Sequence, residues 1–279
     1  MRQAAREGFF EAGQVGIAFR DRFLFVGVDG TARWLPHSAE NRAIRHRDWV
    51  FDDEAYPERF VKMLQDICGD NEDQIKGLLE FIGVAILGHS TALQRVMVIL
   101  GSGGNGKSQI LDVVENLFEP SERVCVAPQR MGNEYRRYQF VGAAINLINE
   151  VAASKMRADA SAAFKAIVSG DYIEGRHIRE MPVAFRPKAG HIMSANSLWM
   201  VEDESDGMFR RLMVLKLNNR FDDSPDRVRD LGKSIVAEEK QAIFDLCVRY
   251  GIQALRKGEY TEDTSSVEEV EEWKRSQDP

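Results

Sequence analysis

The stretch RVMVILGSGGNGKS, Arg95 to Ser108, sets an uninterrupted apolar run directly before a glycine-rich loop. Ile110, Leu111, Val114, Leu117 and Phe118 follow at helical spacing. A strand, a tight loop and a helix in this order form a unit that holds phosphate groups. Gly101, Gly103, Gly104 and Gly106, with Asn105 among them, let the backbone turn sharply and aim its N–H groups at phosphate oxygens. The helix N-terminus adds the positive end of its dipole. Lys107 is placed to reach the β- and γ-phosphates, and the Ser108 hydroxyl to ligate Mg²⁺. The spacing therefore predicts a nucleoside triphosphate site.

The chain has 279 residues, 44% hydrophobic and 29% charged, which suits one large or two modest globular domains with a buried core. No apolar run approaches the roughly 20 residues that span a bilayer, and the N-terminus has no signal-peptide pattern, so a cytoplasmic protein without membrane partners is expected. Cys68, Cys125 and Cys247 lie far apart, suit a reducing compartment and show neither zinc nor redox spacing. A net charge of -7 argues against a protein that coats nucleic acid with its whole surface, though not one that uses a local basic element.

Upstream of the loop, RFLFVGVDGTARWLP sets Asp29-Gly30 between short apolar runs, the pattern of a small β-hairpin. After a charged connection over residues 41–58 come two helical stripes. Phe60, Met63, Leu64 and Ile67 are closed by Gly69, and Ile75, Leu78, Leu79, Ile82 and Ile86 by Gly88. Downstream, the β-type runs RVMVIL, RVCVA (123–127), AAINLI (143–148), HIMSA (191–195) and LMVLKL (212–217) alternate with helical patterns. That alternation predicts an α/β fold with a parallel sheet under covering helices. Val228, Leu231, Ile235, Ile243, Cys247 and Tyr250 form a further helical face, while residues 259–279, acidic and polar, are expected largely as a solvated helix or frayed tail.

The run INLINE ends in Asn149 and Glu150. An acid at a strand end beside a phosphate loop either holds Mg²⁺ through water or polarises an attacking water. Many ATPases of this general kind carry two acids there, so Asn149 leaves the division of labour open. Asn196, ending HIMSAN, offers an amide to the γ-phosphate and the attacking water, or serves the turn itself. Arg210 and Arg211, in DGMFRRLMVLKL, suit the dispersal of charge on a transferred phosphoryl group, supplied from a neighbouring subunit; the plain alternative is a surface pair bound to Asp206.

The order of these motifs, a phosphate loop with GGNGKS, a strand ending in Glu150, FKAIVSGDYI, SAN and FRRL, resembles the superfamily-three helicases. These are AAA-plus ring ATPases of phages, plasmids and DNA viruses; the likeness is to the C-terminal helicase module of phage and plasmid primase-helicases, of the poxvirus and phage-satellite primase type. WLPHSAENRAIRHRDWVFDDEA and the helical pair through FIGVAILG resemble the helical domain that precedes the ATPase in such proteins, so the likeness covers roughly residues 16–221. It implies a P-loop core with an inserted β-hairpin over residues 93–221, preceded over 1–92 by a collar-like hairpin and helical domain and followed over 222–279 by C-terminal helices and an acidic tail. ATP and Mg²⁺ are the implied cofactors. Gly101, Gly106, Lys107 and Ser108 match the Walker A positions, Glu150 the Walker B acid, Asn196 the sensor asparagine, and Arg211 the trans-acting arginine ahead of Arg210. Lys165 and Gly170-Asp171 match a motif just before the hairpin that grips DNA in the pore. Such relatives usually form hexamers moving 3′ to 5′ on single-stranded DNA during replication of a phage, plasmid or other mobile element, inside the host cytoplasm. A primase belongs to a missing N-terminal portion or a separate protein, and EEWKRSQDP has the look of the approach to a winged-helix domain.

The residues support a hairpin at that position. YIEGRHIREMPVAFRPK, residues 172–188, has β-type residues on both sides of a polar centre, and Pro182 prevents a helix from running through it. Arg176, His177, Arg179 and Lys188 concentrate positive charge there, suited to phosphate contacts independent of base sequence. Three functions stay open at this point: a ring-forming, DNA-stimulated ATPase, a small-molecule kinase with a phosphate loop, and an assembly or origin-binding module that binds ATP without turnover, which Asn149 favours.

Overall fold

The structure, a computed structural model, describes residues 16–41, 43–203, 205–221 and 230–277. It opens with three antiparallel strands in the order β1 (Gly16–Ala18), β2 (Phe23–Val26) and β3 (Ala32–Leu35). The turn expected at Asp29-Gly30 is present. Asp29 Oδ1 accepts the Thr31 amide at 3.0 Å, its Oδ2 accepts the Thr31 hydroxyl at 2.8 Å, and Gly30 takes the left-handed conformation at φ +74 that the turn requires. β1, which no alternation in the sequence marked, adds a third strand to the expected hairpin.

Helix α1 (Glu58–Cys68) buries the expected stripe Phe60, Met63, Leu64 and Ile67 and stops at Gly69. α2 (Glu72–Leu87) is capped by Asn71, whose side chain accepts the Gln74 amide at 3.1 Å, and ends at Gly88. A short helix, α3 (Ser90–Leu93), leads into β4 (Val96–Leu100). Next come α4 (Lys107–Leu117), β5 (Arg123–Val124), α5 (Glu134–Tyr138), β6 (Ile145–Ile148) and α6 (Ala158–Ser169). The hairpin β7 (Ile173–Gly175) and β8 (Val183–Phe185) precedes β9 (Gly190–Ala195), α7 (Asp206–Phe209) and β10 (Leu212–Lys216). Two helices complete the described chain, α8 (Leu231–Lys257) and α9 (Thr264–Gln277).

The five-stranded sheet runs β10-β4-β9-β6-β5 with every neighbouring pair parallel. β4 and β9 are buried throughout because helices cover both faces, which is why β4 reads as a continuous apolar run rather than an alternation, while β9 buries His191 and Ser194 among its apolar residues. The strand expected over residues 123–127 pairs only through Val124. Beyond it the buried Asn146 side chain replaces the ladder, accepting the Val126 amide at 2.8 Å and donating to its carbonyl at 3.0 Å.

α8 is the spine of one face. It packs on α2 where Gly83 meets Gly251, a crossing so close that a Cβ on either would strike the other backbone. Phe244 of α8 joins Phe19, Trp49 and, through Phe19, Phe51 and Trp34 of the N-terminal segment in edge-on aromatic contacts. In the same seam the buried Asp245 accepts from Trp49 Nε1 at 3.1 Å and the Asp52 amide at 3.0 Å. Leu231, Ile235, Ile243, Cys247 and Tyr250 face this core as expected; Val228 lies outside the described residues.

The C-terminal stretch departs from expectation. α9 is docked rather than solvated: Trp273, 5% exposed, packs edge-on to Phe209 and Trp199 and donates its Nε1 to the Trp199 carbonyl at 2.9 Å. Ser266 Oγ accepts the Val214 amide of edge strand β10, and Lys216 pairs with Glu269 at 2.5 Å. One large aromatic and a few polar bonds to an exposed sheet edge supply what the sparse apolar pattern did not announce.

Candidate functional site

The phosphate loop leaves the C-terminal end of β4, between edge strand β10 and central β9, as the fold requires for a ligand bound beyond the strand ends. Gly103, Gly104 and Gly106 all have positive φ, and Gly106 begins α4 at φ +85. Asn105, read in the sequence only as a loop member, is a brace. It is 2% exposed, its Oδ1 accepts the Gly103 amide at 3.0 Å, and its Nδ2 donates to the Leu217 carbonyl at 3.3 Å, tying the loop to the end of β10. Where Gly103 faces outward nothing stands within 4 Å of a Cβ position, so the loop's open side is free to receive a ligand.

Lys107, Asn196 and Glu150 come together from three elements. Lys107 Nζ donates to the Gly101 carbonyl, to Asn105 Oδ1 at 3.0 Å and to Asn196 Oδ1 at 3.3 Å; Asn196 Nδ2 donates to Glu150 Oε1 at 3.3 Å. Partial burial holds the Lys107 ammonium below the ordinary lysine value, and the Glu150 charge opposes that shift. The ammonium's direct acceptors are all neutral, an arrangement suited to an anion. Ser108 sits exposed in the first turn of α4. Among the described residues no cluster of three or more His, Cys, Asp or Glu is arranged to hold a metal. A hydroxyl and one acid beside a phosphate loop nevertheless fit Mg²⁺, which takes few protein ligands when substrate phosphates share it.

Asn149 is exposed, and its carbonyl accepts the Ser194 hydroxyl at 2.5 Å while the Val151 amide donates to the Ser194 carbonyl. Ser194 thus fixes the turn that presents Glu150. Its signal in the sequence was a small hydroxyl residue in the strand-like run HIMSA.

The arginine pair lies at the other rim of the sheet. Leu212 registers with Val96 and Lys216 with Leu100, so Arg210 and Arg211 stand beside the start of β4 while the phosphate loop follows its end. That separation is about 16 Å along the strand, well beyond the reach of an arginine side chain within one chain. The two residues also differ from each other. Arg211 is 7% exposed, donating to the Gly207 carbonyl and to Ser169 Oγ at 2.6 Å. Burial and neighbouring Arg210 depress its pKa, and Asp171 opposes them. Arg210 is exposed, and no hydrogen bond or ion pair holds its guanidinium among the described residues. Asp206, the alternative partner for the pair, is taken by Lys274 at 2.6 Å.

The expected hairpin is present, with Ile173 opposite Phe185 and Gly175 opposite Val183. Its cations are unequally available. Arg176 is held by Glu134 at 2.9 Å and the Tyr135 hydroxyl at 2.6 Å, and His177 lies edge-on to Tyr138 and 3.9 Å from Glu180. Lys165 is ion-paired to Asp203 at 2.5 Å. Arg179, at the turn with φ +65, and Lys188 are exposed. The sequence reading missed α5, the NEYRRY segment that braces β7: Arg137 Nε donates to the Glu174 carbonyl at 2.7 Å, and the Arg176 amide donates to the Glu134 carbonyl. It also missed Arg186, which donates to the Gly170 carbonyl at 3.0 Å and covers the Tyr172 ring.

Residues 99–211 match a family of unknown function, DUF5906. Over 186 residues the chain is 23% identical to a protein of Acanthamoeba polyphaga mimivirus named "Putative helicase L207/L206". That alignment takes in 64% of this chain and 17% of the mimivirus protein, so the chain spans a small part of the relative's length. Two solved structures of the NrS-1 C-terminal region share the fold, with TM-scores of 0.59 and 0.61 and 12% identity, each covering 96% of this chain and 74% of the other. The mixed α/β fold on a parallel five-stranded sheet is thus a known architecture, and the sequence is distantly similar to that of a protein named a putative helicase.

Proposed function

We propose that this chain is the ATP-hydrolysing module of a DNA helicase of the superfamily-three kind, working as a ring, in most such cases hexameric, on single-stranded DNA during replication of a mobile element. The observation that carries the reading is the split site: Lys107, Asn196 and Glu150 meet at one rim of the sheet, and the arginine pair stands at the opposite rim. A phosphoryl-transfer site completed by an arginine from the next copy of the chain accounts for both halves.

In this reading the loop amides from Gly101 to Gly106 and the Lys107 ammonium hold the β- and γ-phosphates, and Asn105 keeps the loop in shape. Ser108, and Glu150 through water, would hold Mg²⁺, which would supply neutralising charge at the phosphates. Glu150 and Asn196 together orient the attacking water, with Glu150 accepting its proton. Arg210 of the adjacent copy, free to move, disperses charge on the transferred group. Arg179 and Lys188 of the hairpin meet the DNA backbone, with Arg176 and His177 seated behind them on α5, and Lys165 acts from the hairpin's root. A primase domain or protein is a further expected partner.

The test is ATP hydrolysis by the purified chain with and without oligothymidylate. Stimulation by the oligonucleotide, and partial recovery of turnover when Lys107→Ala and Arg210→Ala proteins are mixed, are expected. Turnover that ignores DNA, with no recovery at any ratio, overturns the proposal. Asn149, standing where a second acid is common, favours a module that binds ATP without turnover; ATP binding with no hydrolysis under any condition would support that second reading.

A further inference from the structure

Beside the hairpin, a cleft of about 420 Å³ is lined by Gln129, Arg130, Gly132, Asn133, Arg136, Arg157 and Asp159. Three arginines reach it from three different places, a 3-10 turn at Pro128–Arg130, helix α5 and the N-cap of α6. One carboxylate, Asp159, faces them, and it pairs loosely with Arg157 at 3.6 Å, both well exposed. Arg130 and Arg136 are exposed, and no hydrogen bond or ion pair holds their guanidiniums among the described residues. In a chain of net charge -7, an excess of positive charge converging on one concavity is a local departure.

The walls are fixed even though the arginine tips are free. Gln129 Nε2 donates to the Ala152 and Ser154 carbonyls, anchoring the 3-10 turn to the segment that follows Glu150. Asn133 caps α5, and Arg137 Nη1 donates to the Gly132 carbonyl at 2.8 Å. The cleft is also continuous with the hairpin. At 100° per residue Glu134, Arg137 and Tyr138 of α5 share the face bonded or packed to the hairpin, and Arg136 points to the opposite side, into the cleft. α5 thus carries hairpin contacts on one face and an arginine of the cleft on the other.

We infer that this cleft is a second nucleic-acid site, binding backbone phosphates of the single strand that the hairpin engages. The inference rests on the helicase reading and adds to it a contact that the hairpin does not provide. Converging guanidiniums, two of the three without partners, favour phosphate, the group their forked donors match, and a polymer passing the hairpin brings several phosphates in sequence. A nucleotide's own phosphates share this chemistry, so the test must separate the two.

Binding of fluorescein-labelled oligothymidylate to the full chain is measured by anisotropy over a salt series, with a non-hydrolysable ATP analogue present. For the Arg130→Gln/Arg136→Gln variant the slope of log Kd against log salt should fall by about 1.4, since each lost single-strand phosphate contact removes about 0.7. Its KM for ATP without DNA should match the wild type. Asp159→Asn, which removes the cleft's carboxylate, should tighten oligonucleotide binding, a gain that misfolding does not mimic. If the wild type binds while both variants keep its slope and Kd, the inference is overturned and the helicase reading stands. A raised KM for ATP with unchanged DNA binding overturns it in favour of a nucleotide site. A wild type with no affinity for the oligonucleotide overturns both readings together.

Discussion

Gly106 links the phosphate loop to the helices upstream of it, and the link can be measured. At φ +85 and ψ 2 the residue lies in the left-handed region, where any other L-residue costs about 1–2 kcal/mol. A Cβ there would sit 2.6 Å from Ile67 Cδ1 and 2.7 Å from Ile67 Cγ1, far inside the roughly 3.5–4.0 Å of normal carbon contact. Ile67 is 3% exposed in the α1 stripe and has little room to retreat. The overlap therefore adds about 1–3 kcal/mol, the usual range for overpacking. Ile67→Ala alone leaves a cavity worth about 2–5 kcal/mol. In the double variant the cavity and the backbone strain persist but the overlap is gone, so the combined loss should fall short of the sum by about 1–3 kcal/mol. Urea unfolding of the four proteins gives this coupling directly. ATP affinity should follow it, because the overlap pushes the loop off the geometry that aims its amides at phosphate: weak binding in Gly106→Ala, partly recovered in the double variant. Losses that add to within about 0.5 kcal/mol, the scatter expected of independent sites, would refute the claim that α1 holds the loop.

Lys107→Ala removes a charge bonded only to neutral acceptors, so hydrolysis should vanish while the melting temperature holds; a collapsed fold in circular dichroism would make the residue structural. Arg210→Ala should keep ATP binding and lose turnover, whereas Arg211→Ala should cost stability, about 1–3 kcal/mol, by stripping a buried donor from Ser169 and Gly207. Normal stability for Arg211→Ala, with turnover rescued by Lys107→Ala in mixed assemblies, would return the trans role to Arg211. Burial raises Asp245 to about 6, with the Asp52 amide and Trp49 opposing, so its folded pKa exceeds the ordinary value of 3.8. Its stabilising contribution is complete below about pH 4 and is lost as pH rises through about 6, by about 1–3 kcal/mol. Asp245→Asn should lack this component of the pH dependence, and identical stability profiles between pH 4 and 7 would count against it.

The core was legible because its physics is local. A parallel strand buried on both faces must be apolar throughout, so Val96 to Leu100 stood out, and a loop with three positive-φ positions has few alternatives to glycine. Glycines at the ends of α1 and α2 marked both boundaries for the same reason. What escaped depends on partners distant in sequence. Asn105 is a brace only because Leu217 lies beside it, and Ser194 matters only through the Asn149 carbonyl. The acidic C-terminal stretch hid the single tryptophan that docks it, and the hydrophobic pattern of one turn of α9 is too sparse to predict where Trp273 lands. Arg210 and Arg211 are adjacent in sequence and equivalent in composition. Gly207 is a helical neighbour of Arg211, but Ser169, 42 residues away, is a partner that no spacing rule brings to it.

The inward arginine bears on how the two halves of the proposed machine communicate. Helix α6, 12 residues and about 18 Å long, has Arg157 of the cleft at its N-cap and Lys165, bonded to Asp203, in its body. Its last residue, Ser169, accepts from Arg211 next to the exposed Arg210, and Gly170, which caps it, has its carbonyl taken by Arg186 of the hairpin arm. In the proposed ring, a displacement of α7 as Arg210 engaged a neighbouring site would act through the Arg211–Ser169 bond on the end of α6, which three residues separate from the start of the hairpin. Interior packing leaves the helix little freedom to bend, and a Cβ at Gly170 would already press on the Thr91 side chain at 2.9 Å. Arg211 is best understood on this reading as a positioning residue between the arginine and the hairpin. Severing it at Ser169→Ala, which removes an acceptor without touching Arg210, should lower DNA stimulation of hydrolysis more than basal turnover. Equal losses in both would show that the bond serves stability alone.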